Sequence, residues 1–331
     1  MPDSDQTATA ARHPLRTAVL LCFALATVPA AELAEHLTRW LDGEPPPAIE
    51  AEDGWWYLGA ELEAYAKPAP TERKGGPVAG IAHYQRLLAA HGIGLVVMPV
   101  PGKVASHPDP LLGEGARRSA SMDAVFAALR KEGVRVLDLR EGFAALRDAG
   151  VATHCRQDSH WSPRGLEAAA EQLAARVVES PWHPDSAAPD AVQREGITLE
   201  ALGDLPPLID AAPEPEILQP ERIIPAGTAA VDDASPVVLV GDSHALVFHQ
   251  PIAGGIQSNG CGLADHLLAH TGLGVDLVAN QGSGVNAPWI SLARRRGERA
   301  NLAGKRLVIW CFAARDLLDP DVEWKQIPVI R

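Results

Sequence analysis

The apolar positions of the chain cluster in five short segments that predict β-strands. These segments are residues 94–100, 134–139, 236–240, 275–278 and 306–310. The first and third are continuous apolar runs, which are typical of strands buried on both faces of a parallel sheet.

Segments with helical patterning fall between the strands, at residues 78–91, 120–132 and 163–179. Ser121 is predicted to cap the second of them, and Ser162 precedes Pro163 at the start of the third. A further helix is expected to begin near Ser243. Helices that alternate with strands indicate an α/β fold with parallel strands.

Two segments fall outside this alternation. The run Asp53-Gly-Trp-Trp-Tyr-Leu58 predicts an aromatic strand or turn. Residues 181–235 hold many prolines and little periodicity, which indicates an irregular insertion. We therefore expect one domain over residues 32–331 that carries this insertion.

The first thirty residues resemble a targeting segment. Arg12 and Arg16 precede an uncharged run from Thr17 to Ala31, and Val28-Pro-Ala30 resembles a small-residue cleavage site. The apolar run is short for a membrane-spanning helix. A cleaved signal peptide over residues 1–31 is the first expectation, with an uncleaved anchor and a plain N-terminal helix as alternatives.

Charge and cysteine content narrow the function classes. The 331 residues carry a net charge of −13, and the sequence has no basic stripe with interleaved aromatic residues, which opposes nucleic-acid binding. Removal of residues 1–31 leaves Cys155, Cys261 and Cys311, enough for one disulfide. No C-x-x-C spacing occurs, so we expect no zinc and no other cofactor.

The candidate nucleophile is Ser243, in the segment Gly241-Asp-Ser243 directly after an apolar strand. Open α/β sheets place their ligands at this carboxyl edge. A helix beginning at Ser243 would place its backbone amide and the helix dipole near an oxyanion. Alternatively, Ser243 is only an N-cap and Asp242 only a turn former.

A serine hydroxyl needs a base, and the segment Gln157-Asp-Ser-His-Trp161 supplies one. Side chains two residues apart in an extended segment point the same way. Asp158 is therefore placed to orient His160, whose other ring nitrogen is left for Ser243. Alternatively, Asp158 and His160 cap the helix that follows.

Two other chemistries stay open in the same segments. Cys155 beside His154 or His160 offers a nucleophile pair, although adjacent residues rarely face each other. His154, Asp158, His160 and His244 offer imidazole and carboxylate ligands for a metal ion.

Candidate oxyanion and substrate-binding groups follow the last two strands. Backbone amides at Gly282 and Gly284 lie in a glycine-rich segment, and Asn286 adds a side-chain amide. A plain turn after a strand is the alternative. Arg315 is a candidate for substrate binding, or else a salt-bridged helix start.

Taken together, the segments resemble the SGNH-hydrolase-like alginate O-acetyltransferases of the AlgJ/AlgX type. The resemblance covers nearly all of residues 50–328 and rests on five segments in order. They are Asp53-Gly-Trp-Trp-Tyr-Leu58, Val97-Met-Pro-Val-Pro-Gly-Lys103, Asp158-Ser-His-Trp161, Gly241-Asp-Ser243 and Ile309-Trp-Cys-Phe-Ala-Ala-Arg-Asp-Leu317.

The resemblance implies a flavodoxin-like three-layer α/β/α sandwich with a mostly parallel sheet. It also implies export to the periplasm and acetylation of exopolysaccharide hydroxyls, with acetyl groups supplied by a membrane-bound O-acyltransferase. By motif match, Ser243 is the nucleophile, His160 the general base and Asp158 its orienting group. A carbohydrate acetyl-esterase, a non-catalytic glycan-binding subunit and a metal-dependent hydrolase are the alternatives.

Substrate contacts are expected from aromatic side chains and from His244. Exposed tryptophans are candidates for stacking on sugars, although core packing is the expected role of any single one. The candidates are Trp55, Trp56, Trp161, Trp289 and Trp324. His244 departs from the family pattern, in which an aromatic residue more often follows the serine, and it either crowds the nucleophile or contacts substrate. The acidic charge favours a neutral or less anionic glycan over alginate.

Overall fold

The computed structural model describes residues 31–41, 43, 45–113, 119–184, 187, 192–295 and 302–329. The expected signal peptide or anchor lies outside the described residues, save for Ala31. Helices are Ala31–Trp40 (α1), Gly59–Ala66 (α2), Pro77–Ala89 (α3), Lys103–Ser106 (α4), Asp109–Leu112 (α5), Ala120–Lys131 (α6), Arg140–Asp148 (α7), Pro163–Val178 (α8), Leu263–Thr271 (α9) and Ala287–Arg294 (α10). Strands are Ala48–Glu50 (β1), Trp56–Leu58 (β2), Gly94–Val100 (β3), Arg135–Val136 (β4), Val192–Gly196 (β5), Leu199–Ala201 (β6), Glu216–Leu218 (β7), Glu221–Pro225 (β8), Val237–Gly241 (β9), Asp276–Ala279 (β10) and Leu307–Ala313 (β11).

Five parallel strands form the central sheet, in the order β10-β9-β11-β3-β4. The middle strand, β11, is buried along its whole length. Its apolar residues pair with β9 on one side and β3 on the other. Parallel pairing explains why these strands are continuous apolar runs, since both faces of the sheet are covered.

The two faces of β11 define two cores. Trp310 and Phe312 belong to a cluster with residues of α3, α6 and α10. Ile309 and Cys311 belong to a cluster with residues of α7, α8 and α9. Since successive strand residues point to opposite faces, the sheet is the middle layer of the expected α/β/α sandwich.

Local signals predicted the strands of the central sheet and helices α3, α6 and α8, with two corrections. Ser162 caps α8 as predicted, accepting a bond from the Gly165 amide at 3.1 Å. The cap of α6 is Ser119 rather than Ser121, because α6 begins at Ala120 and the Met122 amide donates to Ser119 Oγ. Ser243 begins only a three-residue 3₁₀ helix, so the helix-dipole argument does not apply there.

The proline-rich insertion has more order than its sequence indicated. It forms two antiparallel pairs, β5 with β8 and β6 with β7, together with the short 3₁₀ helix Pro206–Ile209. The loop between β6 and this 3₁₀ helix packs against the segment around Gln157, where the Leu205 amide donates to Gln157 O at 3.2 Å. The insertion is thus part of the wall around Asp158.

Two absences hold for the described part of the chain. No helix there is long and apolar enough to cross a membrane. Its three cysteines, Cys155, Cys261 and Cys311, are buried free thiols, so the single permitted disulfide does not form among them.

We expect Gly203→Ala to destabilise the fold by about 1–3 kcal/mol. A Cβ at residue 203 would lie 2.0 Å from Gln157 O and 2.5 Å from the Asp158 amide nitrogen. Because both are backbone atoms, the insertion or the Gln157 segment must shift. Urea unfolding gives the free energy of each variant.

Gly196→Ala is the matched control for this prediction. Gly196 lies in the same insertion, and a Cβ there meets nothing within 4 Å. Its cost should stay below about 1 kcal/mol. Equal losses for Gly203→Ala and Gly196→Ala would contradict the close docking of the insertion.

Candidate active site

The candidate nucleophile lies at the carboxyl end of β9, next to the central strand. Gly241 permits the sharp turn there, since a Cβ at this residue would lie 2.7 Å from Ala245 Cβ and 2.8 Å from Cys311 O. The Asp242 amide donates to Cys311 O at 3.2 Å, which fixes the turn to β11. The Ser243 amide donates to no residue among those that the structure describes, and is free to bind an oxyanion.

The structure brings Ser243, His160 and Asp158 into one hydrogen-bonded line. Ser243 Oγ lies 2.7 Å from His160 Nε2, and His160 Nδ1 lies 2.6 Å from Asp158 Oδ1. The His160 amide also donates to Asp158 Oδ1 at 3.0 Å. Because Asp158 Oδ1 accepts a hydrogen bond from the protonated Nδ1 of His160, His160 Nε2 is the nitrogen that accepts from the serine hydroxyl.

The loop that carries Asp158 and His160 is closed at its base. His154 and Trp161 form an isolated antiparallel bridge, and the Cys155 amide donates to His160 O at 3.2 Å. The intervening residues project from this bridge toward Ser243. The segment bends at residues 156–160 instead of running extended as predicted. The Asp158 carboxylate reaches the His160 ring through a turn that the His160 amide closes.

In both His160 and Asp158, burial shifts the pKa one way and the neighbouring charges shift it the other way. Burial disfavours the charged form of His160, but the Asp158 carboxylate outweighs it, with help from Asp204 and Asp242, and the pKa of His160 is raised. Burial likewise raises the pKa of Asp158, but His160 and then Lys103 outweigh it, and that pKa is lowered. Asp158 is thus a carboxylate opposite a more basic imidazole.

Asp204, in the insertion, forms hydrogen bonds to the loop that carries Asp158 and His160. Its carboxylate accepts from the Ser159 amide and from Ser159 Oγ, both at 2.6 Å. Its own amide donates to Asp158 Oδ2 at 3.1 Å. Both oxygens of Asp158 are therefore satisfied, which a buried carboxylate requires.

Lys103 forms a hydrogen bond to the same loop, at Arg156 O. It is only 2% exposed, and its Nζ donates to Trp56 O at 2.7 Å and Arg156 O at 3.1 Å. The Trp56 amide also donates to Arg156 O, at 2.8 Å. The lysine thus places a buried positive charge near the Asp158 carboxylate and joins the loop to β2.

His244 is held against the site by Asp242. Asp242 Oδ1 accepts from the His244 amide at 2.8 Å and from its Nδ1 at 3.1 Å, while Oδ2 accepts from the Ala313 amide at 2.8 Å. The His244 ring lies 4.8 Å from the His160 ring, centroid to centroid, and meets Trp161 edge-on at 5.6 Å. His244 therefore contacts the candidate base, and at 3% exposure it offers little surface to a substrate.

The residues expected to bind the oxyanion or the substrate lie in different surroundings in the structure. Gly282 and Gly284 lie after β10 with φ of 63° and 57°, in a left-handed turn that favours glycine. Arg315 is half-buried in the 3₁₀ helix after β11, and its Nε lies 3.9 Å from Asp316 Oδ1, as in the alternative of a salt-bridged helix start. Asn286 is a correction: its amide group donates to Glu323 O at 2.6 Å and accepts from the Lys325 amide at 2.9 Å, so it anchors the C-terminal segment.

The expectation that exposed tryptophans stack on sugars is wrong for the five residues proposed. All of them are buried, at exposures between 0% and 7%: Trp55, Trp56, Trp161, Trp289 and Trp324. Trp161 is fully buried in the core against α8 and α9. Trp56 packs in a small cluster with Ala48 and Leu205, and the other four rings pack the two cores, where burial of their large apolar area stabilises the fold.

The alternative chemistries fit the geometry poorly. Burial raises the pKa of Cys155 well above its usual range, and its Sγ donates to Trp161 O, as an inert thiol would. Ligand atoms of Asp158, His160 and Asp204 lie within 4.8 Å of one another. However, both carboxylates already accept internal hydrogen bonds, and His154 Nε2 is bonded to Pro101 O at 2.9 Å.

Sequence reasoning missed Asp204 and Lys103. Asp204 follows Gly203 in a region without periodicity, and only the glycine hinted at a close backbone approach. Lys103 was quoted within the Val97–Lys103 motif but given no role. A lysine directly after a buried strand and a Pro-Gly turn was the available signal.

Comparison with known proteins places this arrangement in a family. The sequence model described as "SGNH hydrolase-like domain, acetyltransferase AlgX" matches residues 48–314. The probable alginate O-acetylase AlgJ of Pseudomonas aeruginosa is 28% identical over 321 residues, covering 87% of this chain and 76% of the relative. The protein of the same name from Pseudomonas syringae pv. tomato is 30% identical over 203 residues, 57% of this chain and 50% of the relative.

Two solved structures share the fold. The O-acetyltransferase domain of Pseudomonas putida AlgJ superposes with a TM-score of 0.63 at 23% identity, covering 85% of this chain and 96% of that one. Pseudomonas aeruginosa AlgX gives a TM-score of 0.65 at 18% identity, covering 85% of this chain and 65% of that one. With the family match over most of its length, the chain belongs to the SGNH-hydrolase-like acetyltransferases of the AlgX family.

Proposed function

We propose that the protein is an O-acetyltransferase that moves an acetyl group through Ser243 to a hydroxyl of an exported polysaccharide. The observation that carries the proposal is the line of hydrogen bonds from Asp158 through His160 to Ser243, at 2.6 and 2.7 Å. This is the arrangement by which a base and its orienting carboxylate activate a serine hydroxyl.

The first half-reaction loads the serine. Ser243 Oγ attacks the carbonyl carbon of the donor's acetyl group, while His160 Nε2 takes the hydroxyl proton. The Ser243 amide donates to the oxyanion, and the amides near Gly282 and Gly284 are the candidate further donors. Collapse breaks the bond to the donor's leaving group, which receives the proton from His160.

The second half-reaction unloads it. A sugar hydroxyl gives its proton to His160 Nε2 and attacks the acetyl-serine carbonyl. The ester bond to Ser243 Oγ then breaks, the serine recovers the proton, and the acetylated sugar leaves. Asp158 stays ionised throughout and stabilises the imidazolium formed in each half.

The donor side and the location complete the proposal. We assign the acetyl supply to a membrane-bound O-acyltransferase and the site of action to the periplasm. The basic, then uncharged, segment of residues 1–31 supports export. The names of the relatives, alginate O-acetylases, support a polysaccharide acceptor.

Replacement of the nucleophile or the base should abolish turnover. We expect Ser243→Ala and His160→Ala each to lower kcat/KM with an acetyl ester probe by at least about 10³-fold. Ser180→Ala is the control, since Ser180 lies half-buried just after α8 and its hydroxyl donates to Arg176 O. Wild-type rates in the first two variants would leave the non-catalytic glycan-binding alternative.

The pH profile should carry the signature of Asp158 and Asp204. His160 must be neutral to accept a proton, and its pKa is raised, so kcat/KM should fall as pH drops through a value above that of a free histidine. Asp158→Asn removes the largest charge that raises this pKa. The acid limb of the residual activity, where kcat/KM falls as pH drops, should therefore move to lower pH. Asp204→Asn should shift the limb in the same direction by less.

The control for the pH experiment is Asp210→Asn. Asp210 is an exposed aspartate in the same insertion. Its replacement should leave the acid limb where the wild type has it. Equal shifts for Asp204→Asn and Asp210→Asn would show a general charge effect and contradict the placement of Asp204.

Product analysis separates transfer from hydrolysis and identifies the acceptor class. With an acetyl ester donor and oligosaccharide, the proposal requires acetylated sugar, whereas free acetate alone indicates an esterase. The net charge of −13 leads us to expect faster acetylation of a neutral oligosaccharide than of an oligouronate of equal length. A faster oligouronate reaction would instead match the names of the relatives.

A further inference from the structure

The chain contains the tripeptide Asp-Ser-His twice, and both copies fold in the same way. The first is Asp158-Ser-His160 and the second is Asp242-Ser-His244. In each, the aspartate Oδ1 accepts from the backbone amide and from the ring Nδ1 of the histidine two residues on. The candidate base belongs to the first copy and the candidate nucleophile to the second.

The two imidazoles are in direct contact. Their centroids lie 4.8 Å apart with the planes tilted by 59°. Both rings are buried, at 5% for His160 and 3% for His244. On another side, His244 meets the edge of the fully buried Trp161. A rotation of the His160 ring toward His244 is therefore blocked by packed atoms rather than by solvent.

The support behind His244 is rigid. Asp242 holds the imidazole through Oδ1 and is itself bonded through Oδ2 to the Ala313 amide, at the end of the central strand. Its own amide is bonded to Cys311 O. The position of the His244 ring is thus set by the backbone of β11.

The two rings also differ in proton affinity, since the pKa of His160 is raised and that of His244 is lowered. Burial lowers the pKa of His244, and although Asp242 opposes this, His160 and Arg315 lower it further. The pKa of His160 is raised, because Asp158, Asp204 and Asp242 together outweigh its burial. Of the two adjacent imidazoles, the one next to Ser243 therefore takes the proton, while its neighbour stays neutral.

We propose that His244 is a positioning residue that braces the His160 ring in the orientation facing Ser243. This inference rests on the proposed function, since it assigns His160 the role of base. His244 acts through His160 and not on the substrate. A misplacement of the base by about 1 Å costs on the order of 100-fold in rate, so loss of the brace should lower kcat.

The test compares His244→Ala with His244→Phe. His244→Ala removes the ring, and we expect kcat to fall about 10- to 100-fold while KM stays within about threefold of wild type. His244→Phe restores a flat ring without a titratable group but lacks the bond to Asp242, so it should recover part of the lost kcat. A loss in KM without a loss in kcat would overturn the proposal in favour of substrate contact.

Proton NMR can report the orientation of the His160 ring directly. The proton between His160 Nδ1 and Asp158 Oδ1, which lie 2.6 Å apart, should give a low-field proton resonance that disappears in His160→Ala. We expect this resonance to broaden or move upfield in His244→Ala and to be retained in His244→Phe. An unchanged resonance and kcat in His244→Ala, or equal losses in both variants, would overturn the proposal.

Two further variants complete the design. His249→Ala is the matched control, since His249 is also held by an aspartate, with Nδ1 2.8 Å from Asp265 Oδ2, and does not touch the triad residues. Its kcat should match wild type. Ser243→Ala separates the two proposals: if it is inactive while His244→Ala is normal, the brace alone fails, and if it is active, the proposed function fails.

Discussion

The arrangement of the site depends on the buried carboxylate of Asp158, which other groups must pair with and hydrogen-bond. A charge at 2% exposure is costly unless it is paired and fully hydrogen-bonded. Three groups meet that requirement: His160 through its ring and amide, the Asp204 amide, and the charge of Lys103. They come from the site loop, the insertion and the start of α4, so one charge joins three parts of the chain.

The sheet provides the second fixed point. Asp242 bonds to the backbone of β11 at Cys311 O and the Ala313 amide, and so fixes the turn that carries Ser243. The loop of His160 and the turn of Ser243 are thus held independently. The 2.7 Å contact between them depends on both supports, which is what pre-organisation of a catalytic pair means in structural terms.

The sequence was most informative where local rules decide the outcome. The strand at residues 94–100 and the helix after Ser162 follow from apolar runs and a cap, and both are confirmed. The pairing of Asp158 with His160 was expected from an extended segment, but the structure forms it in a turn that the His160 amide closes. The contact with Ser243 needed the shared strand edge and the order of the family's motifs, because the two residues lie 83 positions apart.

The rest of the site depends on tertiary contacts that carry no local pattern. Asp204 lies among prolines without periodicity, and nothing nearby in sequence indicates that it faces Ser159. Lys103 would ordinarily be assigned to the surface, yet it is buried beneath the loop. Trp161 and Asn286 were expected to contact substrate because of their residue types, whereas packing and the C-terminal segment use them instead.

The long separations within the site have a kinetic consequence. The bond from the Asp204 amide to Asp158 closes 46 residues, and the bond between Ser243 and His160 closes 83. Contacts this distant form late, since the entropy of loop closure opposes them before they stabilise anything. During synthesis from the amino terminus, Asp158 and His160 leave the ribosome before β9, and the candidate nucleophile Ser243 leaves it after β9. The turn of Ser243 also bonds to β11, which follows it in the chain, so we expect acyl transfer only in molecules whose central strand is already in place.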